Sequence, residues 1–191
     1  DLSTTKTFDL VITNPPYFKG IPAQHNAHHN VDIYKWGDQV ITATNNTRRA
    51  INALIRSTDG RGMNPEEGDK VISLDNHWWR SDKTGENALI NGTIGYLGNC
   101  EIKNIYYPLY NKDFPKPLTV FNAEFKSEVE DDFGELIMDY KGLTTINDEL
   151  SLTPRQSWLL NNNKHCKGLG YYVPMHFNYG YAITCHKAQG S

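Results

Sequence analysis

Three stretches of the chain carry residues whose types and spacing suit chemistry on a phosphate or a nucleobase. The first is Gly180-Tyr181-Ala182-Ile183-Thr184-Cys185-His186-Lys187-Ala188-Gln189-Gly190-Ser191, an apolar run that gives way to a hydroxyl, an imidazole, an amine and an amide. Short polar side chains where a strand runs into a helix add donors to backbone amides that already favour an anion. The plain alternative is an ordinary strand-to-helix turn. In the second stretch, Thr44 to Arg56, residues Arg48, Asn52 and Arg56 stand four apart and so share one helix side. Guanidinium groups on that side suit a phosphate, and the competing reading is a solvated basic face. The third is Asn14-Pro15-Pro16-Tyr17, where two prolines stiffen a loop that presents an amide and a ring.

Other groupings suit chemistry less well. His25, His28 and His29 have a spacing that suits a metal, but no acidic or thiol partner lies near them in sequence, so they read as a polar loop. His165-Cys166 and Cys185-His186 are adjacent pairs rather than pairs spaced to converge. Cys185 alternates with Thr184 on a strand, which points it to the core. With Cys100, Cys166 and Cys185 far apart and no CxxC, a zinc ribbon or disulfide scaffold is excluded and no metal site is expected.

The elements that must position these residues are legible as patterns. Phe8 to Asn14 is a short apolar strand stopped by the prolines, and Gln39 to Thr44 is a second one. Asn45-Asn46 then cap a helix whose Ala50, Ile51, Leu54 and Ile55 share a face. From Gly68 the texture becomes β-rich, with runs at 70–74, 88–90, 93–97, 118–121 and 135–140 separated by Asn-Gly, Gly-Asn and proline turns. Trp158-Leu159-Leu160 suggests a short helix, and Tyr179 to Cys185 a closing strand. The expected fold class is α/β: residues 1–67 and 171–191 form one domain, interrupted by a β-rich insertion at 68–170.

Composition bounds the function. With 191 residues, 38% hydrophobic and 21% charged, the chain can bury a core and is not disordered. A net charge of −3 disfavours a globally basic nucleic-acid binder while leaving room for a local patch. No apolar run spans a bilayer and no leader is visible, so a soluble, cytoplasmic protein without a membrane partner is expected.

The run from Gly180 to Ser191 closely resembles motif V of superfamily 1 DNA helicases of the RecD-like and Dda-like branch. Ala43 to Arg56 is similar to motif IV of the same helicases. Gly68 to Ile72 with Leu89 to Gly95 resembles the start of their SH3-like insertion. The resemblance implies a partial RecA-like second motor domain carrying an SH3-like barrel. It assigns single-stranded DNA contacts to Thr184, His186 and Lys187 and nucleotide contacts to Gln189 and Gly190. Arg48 or Arg49 would reach the γ-phosphate of ATP across a cleft. It further implies exposed rings that stack on bases, with Trp78, Trp79, Tyr106 and Tyr107 as candidates. No GxxxxGK[ST] occurs, so ATP and Mg²⁺ would be held by a first motor domain elsewhere in the same protein, and this chain by itself would bind neither tightly. The branch suggests a bacterial or phage-infected cell. Two alternatives stand beside it. The NPPY run resembles the catalytic motif of amino-group DNA methyltransferases, which flip their target base. The third reading is a non-catalytic SH3-like binding module.

Overall fold

Three short strands with similar endings build a parallel sheet: β1 (Leu10–Thr13, LVIT), β2 (Gln39–Thr42, QVIT) and β10 (Ala182–Thr184, AIT). They lie in the order β1-β2-β10. Their register sets Ile12, Ile41 and Ile183 level with one another, and likewise Thr13, Thr42 and Thr184. Val40, Ile41, Ala182 and Ile183 are buried, as the strands of a parallel sheet must be when covered on both faces. The computed structural model describes residues 10–13, 39–107, 112–129, 132–145, 149–162 and 173–188.

Helix α1 (Asn45–Thr58) follows β2 and packs on β2 and β10. Its N-cap is Thr44 rather than Asn45 or Asn46: the Thr44 hydroxyl accepts from the Thr47 amide at 3.2 Å. The buried face also differs from the expected one. Ile51 and Ile55 are on it, but so are Arg48, Asn52 and Arg56, while Ala50 is exposed.

The chain divides into two compact units: the described residues up to Met63 and from Tyr179 onward form the first, and Asn64–Asn178 the second. The second unit holds β3 (Lys70–Ser73), the ribbon β4 (His77–Ser81) with β5 (Ala88–Leu89), and the long strands β6 (Ile94–Ile105), β7 (Leu118–Ser127) and β8 (Asp132–Asp139). Helices α2 (Tyr140–Thr144) and α3 (Pro154–Asn162) and strand β9 (Phe177–Tyr179) follow. The closing helix α4 (Cys185–Ala188) belongs to the first unit.

The fold class is thus mixed α/β, with a five-stranded antiparallel sheet ordered β8-β7-β6-β3-β9. No closed barrel of regular strands forms among the described residues. The residues that lead into edge strand β9 nonetheless also bond to the opposite edge, β8. On β8, Met175 donates its amide to Ile137 and accepts from Asp139, each at 2.8 Å; at β3, the Leu74 amide donates to the His176 carbonyl at 2.9 Å.

Strand β7 explains why this sheet is stable. Its alternation puts Phe121 and Phe125 on one face and Val120 on the other, and all three are buried. Phe125 meets Phe133 and Phe177 with ring centroids 5.9 and 5.2 Å apart. On the opposite side Val120 joins Tyr107, Phe114, Leu118, Leu152 and Leu160, a cluster that uses α3 as a lid. Each such aromatic or aliphatic side chain contributes about 1.5–3 kcal/mol by leaving water. Gly95 of β6 is required by close approach, since a Cβ there would stand 2.2 Å from the Lys126 carbonyl oxygen.

Strand β5 falls within the expected run at 88–90, but its partner β4 is missed by sequence pattern because HWWRS does not alternate in polarity, and both of its tryptophans are exposed. Backbone and side-chain polar groups hold the ribbon instead. Arg80 donates to the carbonyls of Phe133 and Glu135 at 2.7 and 2.8 Å, and Lys83 pairs with Asp132 at 2.6 Å. In the connecting loop, Asp82 accepts from the Asn87 side chain, the Thr84 hydroxyl and the Gly85 amide. Burial alone would raise the Asp82 carboxyl, but these hydrogen bonds outweigh it and hold the group at about 2, against an ordinary 3.8. Tyr96 is pushed up to about 12 from 10.0, first by burial and then by its hydrogen bond to the Glu128 carboxylate.

The signs of the two shifts are opposite. Asp82, depressed on folding, adds stability that is present above pH 3.8 and lost as pH falls toward 2. Tyr96, raised on folding, adds stability that is complete below pH 10 and lost as pH climbs to 12. Urea unfolding as a function of pH should therefore show the advantage of the native chain over Asp82→Asn shrinking between pH 4 and 2. An advantage that stays constant across that window would rule out the hydrogen-bonded carboxylate as its source.

Candidate functional site

The motif residues converge on one edge of the parallel sheet, because parallel strands all deliver their C-terminal ends to the same side. Thr42 and Thr184 are adjacent partners there. The buried Thr42 hydroxyl lies 3.3 Å from the Ile183 carbonyl and 3.2 Å from the Thr44 carbonyl, tying the β2–α1 turn to the end of β10. Immediately beyond, Thr44 starts α1 and Cys185 starts α4, so two helix starts flank the edge. In open α/β sheets this edge is where ligands bind.

The sequence-selected residues fall around it with different accessibilities. Thr184 is half-buried at the tip of β10, His186 is exposed and Lys187 half-buried on α4. The expectation that Cys185 is a core-facing strand residue is not met: the strand ends at Thr184, and Cys185 is a half-buried helix residue with a free thiol. On α1 the two candidate arginines separate. Arg48 is 6% exposed, with its Nε donating to Asn45 Oδ1 at 3.3 Å. Arg49 is half-exposed, with its Nη2 donating to Asn46 Oδ1 at 2.7 Å. Asn45 and Asn46 thus orient the guanidinium groups instead of capping the helix.

The same helix face does structural work that spacing does not reveal. Arg56 is buried, donates to the Gly62 carbonyl at 2.7 Å and stacks over the Tyr179 ring at 4.2 Å. Asn52 is 2% exposed. Its amide nitrogen donates to the carbonyls of Tyr179 and Ala182 at 3.0 and 3.2 Å, and its oxygen accepts the Ala182 amide at 2.6 Å. That triple contact breaks the expected strand Tyr179–Cys185 into β9, a turn at Gly180-Tyr181, and β10. The sequence signal that could have revealed it is an asparagine between Ile51 and Ile55 on an apolar face.

Of the ring candidates in the second unit, Trp78, Trp79 and Tyr106 are 70, 61 and 67% exposed. Tyr107 is a correction: it is buried, packed on Phe114 with centroids 4.4 Å apart, so its ring cannot meet a base. Trp158, 62% exposed on α3, is a further open ring that its place in an apolar Trp-Leu-Leu run does not suggest. Gln189, Gly190, the NPPY run, His25, His28, His29, His165 and Cys166 lie outside the described residues. Among the described residues no three His, Cys, Asp or Glu side chains group as metal ligands, and no helix is long and apolar enough to cross a membrane.

No known protein family matches the chain, and no curated protein is significantly similar to it.

Proposed function

We propose that this chain is the second motor domain, with its SH3-like insertion, of an ATP-dependent DNA helicase of the RecD-like branch. One observation carries the reading: the two motif-bearing runs, far apart in sequence, are brought together as β2–α1 and β10–α4 at one edge of a parallel sheet. Thr184, His186 and Lys187 are assigned to the single-stranded DNA path, where hydroxyl, imidazole and amine groups contact phosphate without reading sequence. The segment touching β8 and β3 at once supports the barrel-like character of the insertion. Its exposed Trp78, Trp79 and Tyr106 are available for stacking on bases.

The donors on α1 fit only one side of a nucleotide. Arg49 is accessible enough to reach a terminal phosphate, yet the sequence contains no loop of amides to cradle the others. When bound to the intact protein, ATP would supply the energy of unwinding. This chain's part would be to place a cation at the cleft wall and DNA-contacting groups at the sheet edge.

Replacing Thr184 and His186 together by alanine in the intact enzyme is expected to weaken single-strand binding by about 1–3 kcal/mol. Fluorescence anisotropy with a labelled oligonucleotide reads this directly, and unchanged affinity together with unchanged unwinding would remove the assignment. A second reading is favoured by one observation. β1 is parallel in the same sheet with Thr13 level with Thr42, and Thr13 directly precedes the Asn14-Pro15-Pro16-Tyr17 run in the sequence. For an amino-group DNA methyltransferase, transfer of a labelled methyl group from S-adenosylmethionine to DNA would be the deciding assay.

A further inference from the structure

Strand β6 is longer than its partners on one side. β7 pairs with it as far as Ile105, whereas on the other side β3 covers Ile94 to Tyr96, Gly68 and Asp69 bond to Leu97, and the Glu67 backbone meets the Cys100 thiol. Beyond Cys100, the stretch Glu101-Ile102-Lys103-Asn104-Ile105 has a strand on one side only among the described residues. Alternate residues of such a strand turn their N–H and C=O groups outward, which makes a template for another strand. Glu101, Lys103 and Asn104 are exposed, and Ile102 is 47% exposed.

A lysine on an open edge ordinarily guards against strand addition. Here the guard is cancelled by its neighbour two residues away. Glu101 and Lys103 share one face and form an ion pair with each other. In an antiparallel pairing centred on Ile102, each residue faces the one equally far on the other side of the centre. Glu101 then faces the second copy's Lys103, Lys103 faces the second copy's Glu101, and Ile102 meets its own counterpart. The four charges alternate around a rectangle, so every carboxylate gains a second ammonium neighbour. The segment is complementary to itself in charge and in apolar contact, a property that an arbitrary edge lacks.

We propose that the outer edge of β6, from Glu101 to Ile105, is a self-association surface on which a second copy of this chain adds its own β6 antiparallel, extending the sheet across a two-fold axis. A strand pair of about five residues buries less than the roughly 1,000 Å² of a stable interface, so the dimer is weak and forms at high micromolar concentration.

Sedimentation velocity of the 191-residue chain from about 10 to 500 µM in low salt, where surface charges are least screened, should show a concentration-dependent dimer. Lys103→Glu leaves only carboxylates facing one another and Glu101→Lys only ammonium groups. Each should raise the dimer dissociation constant about tenfold or more. Both side chains are exposed, and far-UV circular dichroism with thermal melting checks that each variant folds. The decisive arm mixes the two single variants, which are monomeric apart and should form a mixed dimer together. The double variant Glu101→Lys/Lys103→Glu should recover the affinity of the native chain. A native chain that stays monomeric to the top concentration overturns the proposal, as do single variants that dimerise as the native chain does or a mixture that stays monomeric. An edge that instead accepts an extended segment of another protein would give the first of these outcomes.

Discussion

Leucine in place of Asn52 is expected to destabilise the first unit by roughly 3 kcal/mol, one of the largest effects of any single substitution here. Leucine keeps the branched skeleton and leaves no cavity, so the loss reflects the missing polar contacts together with some crowding from the larger methyl groups. Three bonds would go: two from the side-chain amide to the carbonyls of Tyr179 and Ala182, and one accepted from the Ala182 amide. The side chain is 2% exposed, so water does not replace them, and each buried group left without a partner costs about 1–3 kcal/mol. Denaturant unfolding gives the magnitude, and hydrogen exchange at the Ala182 amide gives the location. A change under about 1 kcal/mol, with exchange at Ala182 unaltered, would mean that the turn before β10 is held by something else.

Arg49→Ala in the intact protein is the second large effect. If Arg49 stabilises charge on the transferring phosphoryl group, ATP turnover should fall about a thousandfold or more with single-strand affinity nearly intact. Arg48→Ala serves as the internal comparison. Arg48 is buried, so its loss should also lower the melting temperature, whereas the half-exposed Arg49 should leave it in place. Full turnover in Arg49→Ala would remove that residue from the cleft. The chain alone should release no phosphate above a buffer control, and release that Arg48→Ala abolishes would show that it holds a complete site.

Some of this architecture is open to inspection in the sequence. The apolar runs of β2 and β10 are visible because a strand covered on both faces is apolar at consecutive positions. The Asn91-Gly92 turn is visible because Gly92 takes a φ of 95° that few other residues tolerate. Ile51 and Ile55 announce the buried side of α1. What runs along the same side does not announce itself. Four-residue spacing puts Arg48, Asn52 and Arg56 in one row, and spacing is silent on whether that row meets solvent, DNA or its own sheet.

Strand β4 is not legible as a pattern for a related reason, although its partner β5 is. The ribbon they form is held by Arg80 on two carbonyls and by the Lys83–Asp132 pair, contacts to β8 some fifty residues away in sequence. Tyr106 and Tyr107 are neighbours in sequence with opposite environments, one open to solvent and the other packed on Phe114. Alternation along an extended chain separates the two rings, but which of them faces the core depends on where α3 and Leu118 lie.

By itself, then, the sequence determined the local elements whose apolar period or turn chemistry is self-contained: the strands of the parallel sheet, the helix after β2, and the β-rich character of the middle. Only the tertiary structure decided that Thr42 and Thr184 stand side by side, that Asn52 closes a turn 127 residues away, and that the far part of β6 has a strand on one side only among the described residues. The physical reason is range. Backbone preference and hydrophobic period act over a few residues, whereas pairing partners, burial of a polar face and the vacancy beside a strand are properties of chain segments that meet only when the whole core has formed.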